Sequence, residues 1–191
     1  MPSKVRAYLG FGKYRNIEVE DDVTAYFEYE NGATAVFVTT TGETPGTNRF
    51  EITGDNGKLV LENGKLTFWR NRQPMNQFLR ESEMSFATPE CWEIPFSGFR
   101  PDDGHAGILR NFVAAIQNGT PLLSPGVEGI RGLTLSNAMH LSSWTDSWVD
   151  IPMDEELFYT KMQEKIATSR FAKKDTTNAG PAADMANSFK K

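Results

Sequence analysis

The hydrophobic period of this 191-residue chain changes once, from two to about 3.6, near residue 100. Asp22 to Tyr29 alternates, with Val23, Ala25, Phe27 and Tyr29 on one face and Thr24, Tyr26 and Glu28 on the other. That is the period of a strand. Asn31-Gly32 then supplies residues that tolerate positive φ in a tight hairpin turn, and Ala33 to Thr41 returns as the partner. The device recurs at Asp55-Asn56-Gly57 and Asn63-Gly64. Arg49 to Gly54, Lys58 to Glu62 and Lys65 to Arg70 lie between these turns, each of strand length. Lys4 to Tyr14, aromatic and punctuated by glycine, reads as an edge or bulged strand. The spacing predicts a meander of about six antiparallel strands, with weaker strands at Phe78 to Ala87 and Cys91 to Phe96.

Beyond residue 100, Ile108, Leu109, Phe112, Val113 and Ile116 fall at helical spacing within Asp103 to Asn118. Asp102 or Asp103 can cap the start, and Gly119 stands where a left-handed C-terminal cap is expected. Ser124-Pro125 opens a second helix reaching about Trp144, and Val149 to Pro152 is a short strand. Asp154-Glu155-Glu156 starts a third helix, with charges suited to its dipole, that ends near Ser169. Strands first and helices after predict an α+β fold: an open-faced, predominantly antiparallel sheet of six or more strands with helices packed on one face. Residues 171–191 have little apolar content and are expected to form a flexible tail.

Composition narrows the function. Lys plus Arg is 20 against 25 Asp plus Glu, a net charge of −5 that argues against a phosphate-backbone binder. One cysteine, Cys91, excludes an internal disulfide and a Cys-rich zinc site, and suits a reducing cytoplasm. No apolar run is long enough to span a membrane, and Arg6, Lys13 and Arg15 interrupt any signal-peptide core.

Few motifs point to chemistry. Gly10-Phe11-Gly12 is followed by Arg15 where a dinucleotide fingerprint needs glycine, and no phosphate-loop lysine motif or Gly-x-Ser-x-Gly elbow occurs. His105 falls in the first turn of a helix. It is either a plain surface residue or a neutral imidazole able to exchange a hydrogen bond with a substrate hydroxyl. His140, mid-helix, reads as structural, and two histidines this far apart do not make a metal site. The cluster Glu18, Glu20, Asp21, Asp22 reads as a solvated loop before a strand, with a cation or general-base site as the alternative. The loop Thr40 to Arg49 is polar and ends in Thr47-Asn48-Arg49, whose guanidinium can bind carboxylate or hydroxyl groups; it is a ligand loop or a plain solvent loop. Trp144 and Trp148 read as packing residues.

Taken in order, several segments resemble the C-terminal domain of the glucose–fructose oxidoreductase, inositol dehydrogenase and MocA-like (Gfo/Idh/MocA) family. They are Glu18-Val19-Glu20-Asp21-Asp22-Val23-Thr24-Ala25 leading to Asn31-Gly32-Ala33, then Pro45-Gly46-Thr47-Asn48-Arg49 and Ile52-Thr53-Gly54-Asp55-Asn56-Gly57. His105 through Asn111-Phe112-Val113-Ala114-Ala115-Ile116 with Asn118-Gly119-Thr120-Pro121-Leu122 is the strongest piece. Gly129-Ile130-Arg131-Gly132-Leu133, Asn137-Ala138 and Ser142-Ser143-Trp144 close the set.

The resemblance implies that residues 1–170 are the substrate-side and subunit-contact half of an NAD(P)-dependent oxidoreductase acting on a sugar, polyol or related hydroxyl compound. The family's Rossmann domain, Glu-Lys-Pro segment and catalytic Asp and His find no matching positions here; Glu164-Lys165 is followed by Ile166. The expectation is therefore a partial enzyme: NAD or NADP in the full-length parent, no cofactor bound by this chain, and no catalytic residue of its own. Thr47, Asn48, Arg49 and His105 are the candidate substrate contacts. The expected partners are the N-terminal Rossmann domain and a second copy through the sheet face, with Phe27 and Phe37 on the subunit side. The alternative is a stand-alone sheet module for oligomerisation or ligand binding.

Overall fold

The computed structural model of the chain describes residues 1–96 and 104–170. In chain order these form β1 (Lys4–Phe11), β2 (Glu20–Glu28), β3 (Thr34–Thr40), β4 (Arg49–Gly54), β5 (Gly57–Glu62), β6 (Lys65–Asn71), α1 (Met75–Glu81), β7 (Cys91–Pro95), α2 (Gly104–Asn118), α3 (Gly129–Thr145), β8 (Val149–Asp150) and α4 (Glu155–Thr168). A short 3-10 turn at Gly126–Glu128 precedes α3. The expected tail over residues 171–191 and the capping role of Asp102 or Asp103 lie outside the described residues.

The fold is α+β, but the strands are divided between two antiparallel sheets rather than one meander. The first has the order β3-β2-β1-β8 and the second β4-β5-β6-β7. The ladder stops between β3 and β4 because residues 41–48 contain Pro45 and two glycines, and the loop is too long for a hairpin turn. Among the described residues the chain accordingly has two compact units, residues 1–42 with 130–170, and the residues between Glu43 and Gly129.

In the first unit, strand register sorts the side chains by face. Val5, Phe27 and Ala35 form one row; Ala7, Ala25 and Phe37 the next; Leu9, Val23 and Thr39 a third. Ala138 and Leu141 of α3 pack against Val5, Ala7, Ala25 and Phe27, with Val149 completing the buried cluster. The opposite face carries Tyr8, Tyr26, Val36 and Val38, all exposed. Phe27 therefore belongs to the core and Phe37 to the helix-covered face, so neither lies on the open side. Both alternating sets contain aromatics, and alternation alone does not say which set the helices cover. Ser142 of α3 is fully buried; its hydroxyl accepts from the Ala7 amide at 3.0 Å and donates to the Ser147 carbonyl at 2.6 Å. Trp144 stacks on Phe158 of α4 and Trp148 meets Tyr26 edge-on, so both tryptophans pack. Asp154 caps α4 by accepting from the Leu157 amide at 2.9 Å.

In the second unit, the segment expected as a strand from Phe78 begins inside α1. Asp55, in the β4–β5 turn, accepts the Met75 amide on its main-chain oxygen at 2.8 Å and the Asn76 amide on Oδ1 at 2.6 Å. These contacts satisfy donors that a helix start leaves open, and the residues that follow are good helix formers. Register places Phe50, Ile52, Leu59, Leu61, Leu66, Phe68, Trp92 and Ile94 on one face of this sheet. Arg49, Glu51, Lys58 and Glu62 lie on the other. Gly119 ends α2 with φ +68°, the expected left-handed cap. Asn111 holds the following loop, donating to the Pro121 carbonyl at 3.0 Å and accepting from the Leu123 amide at 2.9 Å. The apolar stripe of α2 (Ile108, Leu109, Phe112, Val113 and Ile116) remains exposed instead of closing over a sheet.

Gly57 offers a direct test of the β4–β5 hairpin. Its φ is +137°, and a Cβ there would lie 1.9 Å from the Trp69 carbonyl oxygen, a main-chain atom that cannot swing away. Gly57→Ala should cost about 3–5 kcal/mol and expose Arg49–Asn71 to proteolysis, read by urea unfolding and limited digestion. A variant as stable and protease-resistant as the parent would contradict this register.

Candidate functional site

Arg49 opens β4, directly across from Glu62 of β5. Its Nη1 donates to Glu62 at 2.7 Å, its Nε to Glu51 at 3.1 Å, and its Nη2 also donates to Glu51. Lys58 Nζ reaches Glu51 at 3.5 Å. The Glu51 hydrogen bond raises the Arg49 guanidinium above its ordinary range, and Arg49 holds the Glu51 carboxyl below its own. Three of the five guanidinium N–H donors are used in this way, so the fork is fixed in direction and two donors remain for a ligand hydroxyl. Thr47 Oγ1 donates to Glu43 Oε1 at 2.7 Å, which orders the loop just before Asn48.

His105 is exposed in the first turn of α2, immediately after Gly104. It has no hydrogen bond or ion pair with Thr47, Asn48 or Arg49 among the described residues. Thr47 and Arg49 are each held by carboxylates of their own sheet and loop, and His105 stands on a different element, α2.

Of the acidic cluster only Glu18 stands in an exposed loop; Glu20, Asp21 and Asp22 belong to β2. Asp21 is buried at 3% exposure and lies in β2. Its carboxylate accepts the backbone amides of Lys13 at 2.9 Å, Tyr14 at 2.7 Å and Arg15 at 3.0 Å. Asp22 pairs with Lys13, and Glu18 accepts the Arg170 amide at 2.8 Å. Glu20 faces His140 of α3, Oε2 to Nε2 at 3.0 Å. The His140 ring lies against Phe11 and Trp144, with centroids 6.2 and 5.4 Å away. Sequence reasoning passed over this pair because its members are 120 positions apart. His140 lies on the flank of α3, in the row Ser136–His140–Trp144 beside the buried stripe, and a histidine four positions before a packing tryptophan was the available signal.

The fold and these sites can be set beside known proteins. A family model described as the oxidoreductase family, C-terminal alpha/beta domain, of the Gfo/Idh/MocA group, matches residues 1–151. The chain belongs to this family. No curated protein matches this oxidoreductase-family domain. Among solved structures, the WlbA dehydrogenase from Chromobacterium violaceum, in complex with NADH and UDP-GlcNAcA, is similar at 25% identity with a TM-score of 0.58. The match covers 80% of this chain and 41% of that one. Levoglucosan dehydrogenase, in complex with NADH and levoglucosan, shares the fold at 19% identity and TM-score 0.57, over 80% of this chain and 46% of that one. The aldose-aldose oxidoreductase from Caulobacter crescentus, complexed with glycerol, does so at 17% identity and TM-score 0.58, over 78% and 41%. The domain spans less than half the length of each.

The Gly10-Phe11-Gly12 segment does not form a dinucleotide-binding turn. Gly10-Phe11-Gly12 lies at the end of β1 in an antiparallel ladder, and the Gly12 amide donates to the Val19 carbonyl at 3.2 Å. The chain here turns back into a strand instead of opening a helix whose amides could receive a pyrophosphate. No helix among the described residues is long and apolar enough to cross a membrane.

Proposed function

We propose that this domain is the substrate-side and subunit-contact half of an NAD(P)-dependent oxidoreductase acting on a sugar, polyol or related hydroxyl compound. The carrying observation is the family match over residues 1–151, joined to similar dehydrogenases more than twice the length of the matched part. The solved relatives that hold NADH support NAD as the cofactor of the whole enzyme, bound outside the residues described above. The exposed stripe Ile108, Leu109, Phe112, Val113 and Ile116 supports a domain built to meet another. An exposed, free Cys91 suits a reducing, cytoplasmic setting.

The subunit contact falls on the open face that carries Tyr8, Tyr26, Val36 and Val38. Three strands at about 4.8 Å and about eight residues each at about 3.3 Å give roughly 380 Å² per partner, the two-residue β8 adding little. That is below the roughly 800 Å² per partner of a standard interface, so a stable dimer would need surface beyond this sheet.

In the full-length enzyme, Thr47, Asn48, Arg49 and His105 act as substrate contacts. Arg49 is the residue the geometry equips best, because its carboxylate partners set the direction of its free donors. Arg49→Ala and His105→Ala should each raise KM or lower kcat about 10- to 100-fold without loss of folding, the worth of one charge-assisted or well-placed hydrogen bond. Unchanged kinetics in both variants would remove these residues from the substrate site. Micromolar binding of NADH by this chain alone would overturn the assignment of the cofactor to another part of the enzyme.

A further inference from the structure

The first unit holds a cleft of about 350 Å³ between α3 and the ends of β1, β2 and β3, within the range of about 300–1,000 Å³ typical of small-molecule sites. Its floor is the sheet row Leu9 and Val23 with Phe37 of the adjacent row, and Met139 of α3 closes one side. Glu20, His140 and the residues Thr39 to Thr41 supply its polar wall. We propose that this cleft binds a neutral, hydroxyl-bearing small molecule, with Glu20 as the recognising group and His140 as the residue that positions it.

The charges narrow the ligand. His140 Nδ1 faces the Ser136 carbonyl at 2.9 Å while Nε2 faces Glu20 at 3.0 Å. Both ring nitrogens are thus engaged within the protein, one on the Ser136 carbonyl and one on the Glu20 carboxyl. Asp21 is buried and already accepts three backbone amides. No lysine or arginine is among the lining residues, whereas the carboxyls of Glu20 and Asp21 are, a lining that disfavours a phosphate or carboxylate ligand. Glu20 Oε1 makes no hydrogen bond among the described residues, leaving an acceptor for ligand hydroxyls, which can donate to it as neutral groups. The Phe37 ring offers an apolar surface for the C–H face of such a molecule. His140 uses both nitrogens internally and so acts through Glu20.

This inference does not depend on the oxidoreductase reading, since it is tested on the 191-residue chain without cofactor or turnover. Glycerol, myo-inositol and D-glucose would be titrated into labelled protein, following the methyl resonances of Leu9 and Met139 and the ring resonances of His140. At least one polyol should give saturable, millimolar shifts at these positions. Glu20→Gln should weaken that binding about tenfold, the cost of losing a charged acceptor. Phe37→Ala should weaken it in a protein whose remaining spectrum is unchanged. Gluconate should fail to saturate the same resonances. Absence of saturable shifts with all three polyols, Glu20→Gln binding as tightly as the parent, or gluconate binding as well as glucose would each overturn the proposal.

Discussion

Phe27→Glu should leave the first unit unfolded, whereas Val38→Glu, one strand away, should fold as the parent does. Phe27 is 7% exposed and packs in the cluster with Val5, Ala25, Ala138 and Leu141. Removing a buried phenylalanine costs about 3–5 kcal/mol, and a carboxylate without a partner adds several more. The total reaches the roughly 5–15 kcal/mol that holds a domain together. Val38 is 63% exposed on the opposite face, where a substitution in a monomer changes stability by about 0.5 kcal/mol or less. Near-UV circular dichroism and thermal melts would show a flat, premelted signal for Phe27→Glu and a normal transition for Val38→Glu. If the open face is the subunit contact, Val38→Glu should also lower the sedimenting mass to that of one chain. Native-like melting of Phe27→Glu would mean that α3 does not cover this face.

The same two residues show how far the sequence reaches. The alternation from Val23 to Tyr29 is plain in the sequence, and so are the turns at Asn31-Gly32 and Asn63-Gly64, because each is a local property of a few residues. Which alternating set is buried depends on α3, more than a hundred positions away, and the sequence carries aromatics on both sets. The break between β3 and β4 was missed for a related reason: strand-length segments were legible, but pairing across residues 41–48 depends on loop geometry. Arg49 was legible as a candidate from its polar loop. Its fixing by Glu51 and Glu62 required the register of β4 on β5. Helix α1 was hidden because its capping group, Asp55, comes from a hairpin turn about twenty residues earlier.

Asp21→Asn should lower the melting temperature by about 5–10 °C near neutral pH, and most of that difference should vanish in acid. The carboxylate is enclosed by its own loop, where it accepts three consecutive backbone amides, and its main-chain oxygen accepts the Thr41 amide at 2.9 Å. Burial pushes this carboxyl up, but the amides of Tyr14, Lys13 and Arg15 together outweigh burial and hold it below its ordinary value of 3.8. The sign follows from linkage. A carboxyl more acidic in the folded state stabilises the fold fully above its unfolded value, and that contribution is lost as pH falls through the lowered folded value. Asparagine presents one carbonyl oxygen and an NH2 group that meets amide donors with a donor, so the loop from Lys13 to Arg15 loses its anchor at every pH. Melting curves of parent and variant between about pH 7 and pH 2 should therefore converge from above: the parent loses stability below about pH 4 while the variant changes less over that interval. A gap that stays constant down to about pH 2 would show that the ionised carboxylate is not what holds this loop to β2, and that Asp21 acts there only by its size and shape.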